Sequence, residues 1–565
     1  MTRPERRHAA ELAFGILMLW YAVASSDGAV RIVPTQFGTI QSALDESSAT
    51  DTVRVLPGTY FEAIRFPATN VKLLGEYVFS GDSIDLLTTT IDADSNASQD
   101  TSAAITFSHP NTRASVLAGF TLRGGHGTFY LDGKRGGGVY VAGASPTIVS
   151  NIITANAGAE AAIFSAVGSP LISHNAIYDN ILDGASLCRF ESDAYPDTIH
   201  FEWNDIRQNQ AEDMALISAA YSNVKFEYNR FHDYHYPALQ CVQILASEAE
   251  FRGNIFEHLT GDPLYGWSLV YVDEFVTPIE DNVFRDCVTS NFFTFTLQRQ
   301  NLFHTQEICR NLFENISGPD SVHGTGFFIQ HPSVRVHDNA FVNCQGGLGA
   351  IYLSASSECD AAITRNYFHG NRAHPYVGTA AVFKLLAAAC TMTDNWFEDN
   401  GPLAVDQDDE STSWDISGNY WGSPSGPYHP TENPSGQGDS VGVSCHVTPW
   451  LTEPPDLNSP ETPLVSEAVS DWRLEPPFPN PFNPTVNIRL VAGNQPVQAE
   501  VSVFDIQGRC VRDLWRGLIP RSSDVILKWD GTGMAGPLPS GVYLVSARSR
   551  SSVPRVWSQK AILLK

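Results

Sequence analysis

The chain has 565 residues, 43% hydrophobic and 17% charged, with a formal net charge of −27. That length exceeds one compact domain and points to several domains or to an elongated repeat. Residues 471 to 565 hold 12 Lys and Arg against 7 Asp and Glu, a net +5, and residues 1 to 470 hold 23 against 55, a net −32; so acidic a body repels nucleic acid, anionic lipid and polyanionic glycans unless cations intervene.

In chain order, the first element is Arg3, Arg6 and Arg7 ahead of an apolar run from Leu12 to Val23, ending at Ala22-Val23-Ala24. This is the form of a secretory signal over residues 1–24. The run is shorter than the roughly 20 apolar residues that span a bilayer, so a mature chain without a membrane span is expected. Nine cysteines, an odd number for an exported chain, leave one without an internal partner, and no CxxC or zinc spacing occurs. Further along, IDADSNASQD (91–100) places Asp92, Asp94, Asn96 and Asp100 like the early ligands of a calcium loop. Ala97 stands where such a loop needs Gly, and Ala103 where it needs Glu, so a solvated turn is the expectation and Ca²⁺ the alternative.

From residue 151 a phrase repeats: NAIYDN, NIFEHL, NLFENI, NYFHGN, NWFEDN. Its first Asn recurs at 151, 175, 204, 229, 254, 282, 311, 339, 366, 395 and 419, with spacings of 24 to 29. Three places before each Asn stands an apolar residue, from Ile148 to Ile416, and two places after it another: Ile153, Ile177, Ile206, then Phe231, Phe256, Phe284, Phe313, Phe341, Phe368, Phe397 and Trp421. Fixed apolar positions at this period mean a solenoid, in which stacked turns bury what one turn cannot. Short runs rich in Phe, Ile, Val and Thr, broken by Asn, Asp and Gly, favour strands.

Asn at the index position has two expected uses, the left-handed backbone of a corner and an amide ladder between turns through Asn254, Asn282, Asn311, Asn339, Asn366 and Asn395. A second Asn column, five places on, is present in the outer turns (Asn156, Asn180, Asn209, Asn371, Asn400) and gives way in the middle to Tyr234, Leu259, Cys287, Ile316 and Cys344. Cys287 and Cys344, two repeats apart, are therefore expected as buried thiols and not as a bridge. A leucine-rich repeat shares the apolar-x-x-Asn-x-apolar core, but Phe and Ile stand where Leu belongs and no helical segment recurs.

Residues 30–451 resemble the right-handed parallel β-helix proteins of the pectin-lyase-like superfamily. The resemblance rests on the repeat, on GFTLRGG (119–125), on GGGVYVAGASPTIVSNIITAN (136–156), on the terminal NYWGSPSGPYHPTENPSGQGD (419–439), and on FGTIQSALDESSATDTVRVLPGTY (37–60), which looks like the family's capping helix and first strand. It implies an all-β, right-handed, single-stranded parallel β-helix. It says little about activity, because that rod carries lyases, hydrolases, adhesins and inert surface proteins alike.

Residues 452–470 form a Pro, Glu and Ser-rich linker, and short strands broken by Gly and Pro turns follow over 471–565, the pattern of a small Ig-like β-sandwich. PNPFNP (479–484), VFDIQGRCVRDL (503–514), SGVYLV (540–545) and Lys565 resemble the C-terminal sorting domain of type IX secretion cargo and the Ig-like domain of flagellar hook-capping proteins. That resemblance implies contact with an outer-membrane secretion machinery and a place outside a Gram-negative cell or on its surface.

Chemistry is sparse. Polygalacturonase-like enzymes need a His motif and paired carboxylates, but His126 in LRGGHG precedes Asp408 and Asp409 by some 280 residues, the reverse of the family order and about ten turns away. Pectate-lyase-like chemistry needs carboxylates on Ca²⁺ and a basic residue. The column just before the index Asn offers Asp281, Arg310, Asp338, Arg365 and Asp394, whose alternating sign suits a ladder of ion pairs better than a calcium cluster. Tyr178, Trp203 and Tyr228 lie off the inward columns and would stack on sugars or pack under loops. The expectation is a monomeric exported rod, non-catalytic, that binds an extracellular polysaccharide or serves as a structural element. The alternative is a polysaccharide lyase or glycoside hydrolase with a site in the irregular 183–200 and 261–278 inserts.

Overall fold

The computed structural model describes residues 28–457 and 473–563, apart from 95–100, 131–132, 183–185, 192–197, 210–214, 237–239, 246–248, 262–267, 274–275, 290–292, 299–304, 319–324, 331–332, 348, 355–359, 374–378, 386–388, 409–412, 475–476, 478–479, 481, 484, 492–496, 505–508, 520–523, 534–535 and 550–555. The expected signal segment, most of the linker, Asn96, Asp100, Asp409 and parts of both inserts lie outside the described residues. The chain divides into two units, Met1–Pro463 and Leu464–Lys565.

The first unit is a coil of parallel strands on three sheets. A leading sheet of 14 strands runs from Val30–Val33 to Ala389–Thr393, a following sheet of 13 from Gly58–Tyr60 to Trp396–Glu398, and a return sheet of 13 from Ile64–Arg65 to Leu403–Gln407. Each index Asn sits at the corner between the leading and following strands of its own turn. Each strand pairs with its counterpart one turn on, as Leu312 does with Ala340 and Phe313 with Phe341. This is a right-handed parallel β-helix, the hand that twisted parallel strands favour. The third side of every turn is a strand, which removes the leucine-rich repeat.

Two inward columns hold the coil together. The index Asn residues are buried, and each up to Asn395 donates its side-chain amide to the Oδ1 of the next: Asn282 to Asn311 at 2.9 Å, Asn311 to Asn339 at 2.9 Å, Asn339 to Asn366 at 3.0 Å, Asn366 to Asn395 at 3.0 Å. The same amides also donate to backbone, Asn311 to the carbonyls of Ile279 and Cys309. Beside them runs the ring column, with centroids 4.8 Å apart from Phe256 to Phe284 and from Phe284 to Phe313, 5.0 Å to Phe341, 5.1 Å to Phe368 and 4.8 Å to Phe397. Each buried ring contributes about 1.5–3 kcal/mol.

The left-handed corner falls elsewhere than expected. It is the residue before the Asn that has positive φ: Ser150, His174, Trp203, Tyr228, Asp281, Arg310, Asp338, Arg365 and Asp394, all between 55° and 59°. A left-handed residue here turns the chain so that the following Asn points inward, and its own side chain points out, where nearly any type is accommodated. In the second Asn column, Asn180 donates to the carbonyls of Ile153 and Tyr178. Cys287 makes the same pair of bonds through its thiol, to Phe256 at 3.5 Å and Arg285 at 3.2 Å. The buried cysteines thus replace Asn donors, and burial pushes the Cys287 and Cys344 thiols up to about 12.

The coil begins earlier than the Asn repeat. Strand register places Gly58, Thr89 and Phe120 at the index position of the first three turns, and the Phe120 N–H already donates to Asn151 Oδ1 at 3.2 Å. The helix Ile40–Asp45 buries Ile40, Ala43 and Leu44 against this end of the core. Its first N–H groups donate to the Glu62 carboxylate at 2.9 and 3.0 Å, which satisfies helix donors otherwise left open. At the other end, Trp421 stacks on Phe397 at 4.6 Å. Asp439 Oδ2 takes the Asn400 amide at 2.7 Å where a further Asn would stand.

The second unit is a small β-sandwich. Arg473–Leu474, Val486–Val491 and Asp524–Trp529 form one antiparallel sheet, and Val497–Phe504, Cys510–Ile519, Gly541–Ser549 and Val556–Leu563 the other. Its core holds Phe482, Trp529 and Tyr543, with Phe482 against Trp529 at 5.1 Å.

Two outcomes are expected. Asn311→Ala should lower the unfolding free energy in urea by at least the roughly 1–3 kcal/mol that an unsatisfied buried polar group costs. Asp439, whose carboxyl burial pushes up to about 6, makes stability fall as pH rises from about 4 to about 6, since the folded state holds the proton longer. Asp439→Asn keeps the acceptor oxygen, so it should flatten that slope and raise the melting temperature at pH 7.

Candidate functional site

The outward positions of the coil carry the remaining chemistry, and each sheet presents a different face. On the leading face, in the column just before the index Asn, Arg310 Nε donates to Asp281 Oδ1 at 2.9 Å and the same guanidinium pairs with Glu280. Arg365 Nε donates to Asp338 Oδ1 at 2.9 Å and its Nη1 to the carbonyl of Asp456 at 3.2 Å. Asp338 also meets His337 Nδ1 at 2.8 Å, and His337 Nε2 meets Glu307 at 3.1 Å. Asp394 forms no ion pair among the described residues.

The column therefore resolves into separate pairs, each Arg reaching back one turn, and not into one continuous ladder. Arg310 stands between Asp281 and Asp338, so those carboxylates do not close on a common cation. Burial alone would loosen the Arg310 proton, but the Asp281 hydrogen bond and the nearby Glu280 hold it more tightly than usual. That is the opposite of what a proton-abstracting base requires.

The following face holds a group that the reading by index column missed. His232 is buried with Nε2 2.8 Å from Asp205 Oδ1 and Nδ1 2.8 Å from Asp233 Oδ2. Arg207 pairs with Asp205 and lies 4.5 Å over the Tyr178 ring. Arg230 Nε donates to Glu257 at 2.7 Å and Arg285 Nη2 to the same carboxylate at 3.2 Å. His258 lies 3.6 Å from Asp233 and 4.0 Å from Asp286. The signal was present three places after the index Asn, where Arg207, His232, Glu257 and Arg285 follow one another. With a carboxylate on each ring nitrogen, His232 can donate to both only when both nitrogens carry a proton.

The return face is largely uncharged. Tyr271, Phe328, Tyr352 and Phe383 share one outward column, and Gln298 and Gln330 the next.

The remaining candidates are engaged elsewhere. Asp92 is buried and paired with Arg123 at 2.8 Å, and Asp94 meets His126 Nε2 at 3.1 Å. His126 thus lies beside Asp94 on a neighbouring turn, far along the coil from Asp408. Trp203 and Tyr228 stack on each other at 4.3 Å, with His174 6.0 Å beyond. They are only 7% and 8% exposed, which closes their faces to a sugar. A Cβ at Gly253 would lie 2.4 Å from the Tyr228 ring, so glycine is required where the stack ends. Among the described residues no group of three or more His, Cys, Asp and Glu is placed to hold a metal ion, and no helix is long and apolar enough to cross a membrane.

A family model described as a protein of unknown function (DUF1565) matches residues 26–219. No curated protein matches the chain. Among solved structures, dimeric latent PorU from Porphyromonas gingivalis is similar at 20% identity over 18% of this chain, with a TM-score of 0.16, and the match spans about a tenth (10%) of that protein's length.

The acid and imidazole group makes a pH signature. Burial works against the His232 proton, but the Asp205 and Asp233 hydrogen bonds override it and raise the folded value above the ordinary 6.5. The stabilisation is therefore full below about pH 6.5 and lost as pH rises through the higher folded value. Urea unfolding between pH 5 and 9 should show this decline, and His232→Gln should make it shallower, leaving the part that His337, raised likewise by Asp338 and Glu307, contributes.

Proposed function

We propose that this chain is an exported β-helix rod of the pectin-lyase-like kind that acts without catalysis, as a glycan-binding or structural element outside a Gram-negative cell or on its surface, carried there by its C-terminal sorting domain. One observation carries the reading. On both charged faces, the carboxylates, guanidiniums and imidazoles that a lyase or hydrolase would keep open to substrate are largely matched to partners on the same or a neighbouring turn. The sorting role is supported by the motifs PNPFNP and SGVYLV, which supply Phe482 and Tyr543 to the sandwich core.

A polysaccharide lyase or hydrolase is the second reading. The convergence of Asp205, His232, Asp233 and His258 favours it, because paired acids around an imidazole are the material of proton transfer.

The test is a screen of the mature protein against neutral and acidic polysaccharides, with and without Ca²⁺, following binding, new reducing ends and the absorbance of unsaturated products. Binding without product is expected. Turnover that His232→Gln abolishes would replace the proposal with the second reading.

A further inference from the structure

In a solenoid each turn touches only its neighbours, so the last turn is held from one side and opens first. The corner hydrogen bonds show where this coil ends. The Asp394 N–H donates to the carbonyl of Gly418 at 2.8 Å and the Gly418 N–H to that of Pro449 at 2.6 Å; the Tyr420 N–H donates to the carbonyl of Asn395 at 2.9 Å and the Leu451 N–H to that of Asn419 at 2.9 Å. Trp450 therefore stands at the index position one turn beyond Asn419. Its ring packs on the core, close over Gly426, where a Cβ would lie 2.5 Å away, and its Nε1 donates to the Pro424 carbonyl at 3.2 Å. Past this corner the chain does not join the following sheet, whose last strand among the described residues is Trp396–Glu398. The Asp456 carbonyl instead accepts from Arg365 Nη1 at 3.2 Å, and Leu457 is 8% exposed. Arg365 lies three corners back, about 14 Å at the strand spacing, and five residues of extended chain span at most about 18 Å. The start of the Pro, Glu and Ser-rich segment thus runs back along the outside of the rod.

We propose that residues 451–457 are a strap that locks the end of the coil. It ties the last corner to a turn three back, a contact between turns that are not neighbours, so the end turn opens only after the strap lets go. Arg365 is suited to be the clasp. Its φ of 58° turns the side chain to the outside of the corner, and with Nε on Asp338 its Nη1 is left for the strap. Tension arriving along the chain from its C-terminal side meets this clasp before it meets the end turn. The device works whether or not a glycan binds.

Limited proteolysis and hydrogen exchange on the full mature chain test it. Endoproteinase Asp-N, cutting between Pro455 and Asp456, should act on the wild type at least about tenfold more slowly than on a free peptide of residues 448–460, because a cut requires the strap to open. Arg365→Ala and Leu457→Ala should each speed that cut about tenfold, the scale of one hydrogen bond to a charged group, and should speed amide exchange in Trp396–Glu398 and Trp414–Asp415. The turns around Phe284 and Phe313 should exchange as in wild type. Leu457→Ala leaves the pair of Arg365 and Asp338 intact, so an effect shared by both variants belongs to the strap. Arg335→Ala, on the leading face, should behave as wild type. A wild-type cut as fast as that of the free peptide overturns the strap. Faster cutting in both variants with unchanged exchange in the end turns overturns the lock.

Discussion

A buried primary amide has two donors and a carbonyl to satisfy, and in this coil the index Asn residues up to Asn395 find them in the backbone and in the neighbouring Asn. That requirement fixes the architecture. The amide of Asn311 is met only if Asn339 lies one strand spacing away with its oxygen facing back, so every turn must return to the same point however long its loops are. Spacings from 24 to 29 residues are tolerated because the ladder constrains the corner and leaves the connections free. A slip of one residue would turn the Phe column outward and leave the amides unpaired, so the ladder and the hydrophobic stack enforce one register.

With the interior committed to packing, chemistry is left to the outward positions, and these differ by face. The leading and following faces are acidic and basic in alternation and spend their charges on one another. Surface pairs of this kind add little stability individually, but neutralising neighbours lets an acidic body stack its strands without severe self-repulsion. The return face pairs Arg189 with Glu191 early on and in its later turns carries aromatic rings and amides. Three faces of one repeat thus have three surface chemistries, with no change in the buried pattern beneath them.

The inward columns were legible because burial restricts them: apolar three before the Asn, apolar two after, and Asn itself. In the first three turns the columns carry no marker, because Gly58, Thr89 and Phe120 meet the same corner without Asn, and only the resemblance over residues 30–451 reached them. The left-handed residue was misplaced for a related reason. Its side chain points outward and varies from Trp203 to Arg310, so composition carries no trace of its backbone. The sign alternation of Asp281, Arg310, Asp338 and Arg365 was plain in the text, but the choice of partner was not: each guanidinium reaches back to the previous turn, a matter of side-chain direction. The group around His232 stood in a column unrestricted by packing, so only its charge pattern marked it.

The two ends of the coil bear on what it is not. In-register parallel strands with stacked amides and stacked rings are the construction of a fibre, and each terminal strand of such a stack is a template for another chain. Here the helix Ile40–Asp45 lies across one end of the core, and at the other Trp421 covers the last Phe while Asp439 occupies the Asn400 amide. At that end the Asn400 amide and the last Phe ring are thereby taken. The same interactions that would propagate without limit in an amyloid are therefore terminated within one polypeptide, and the chain behaves as a polymer whose length is written in its own sequence.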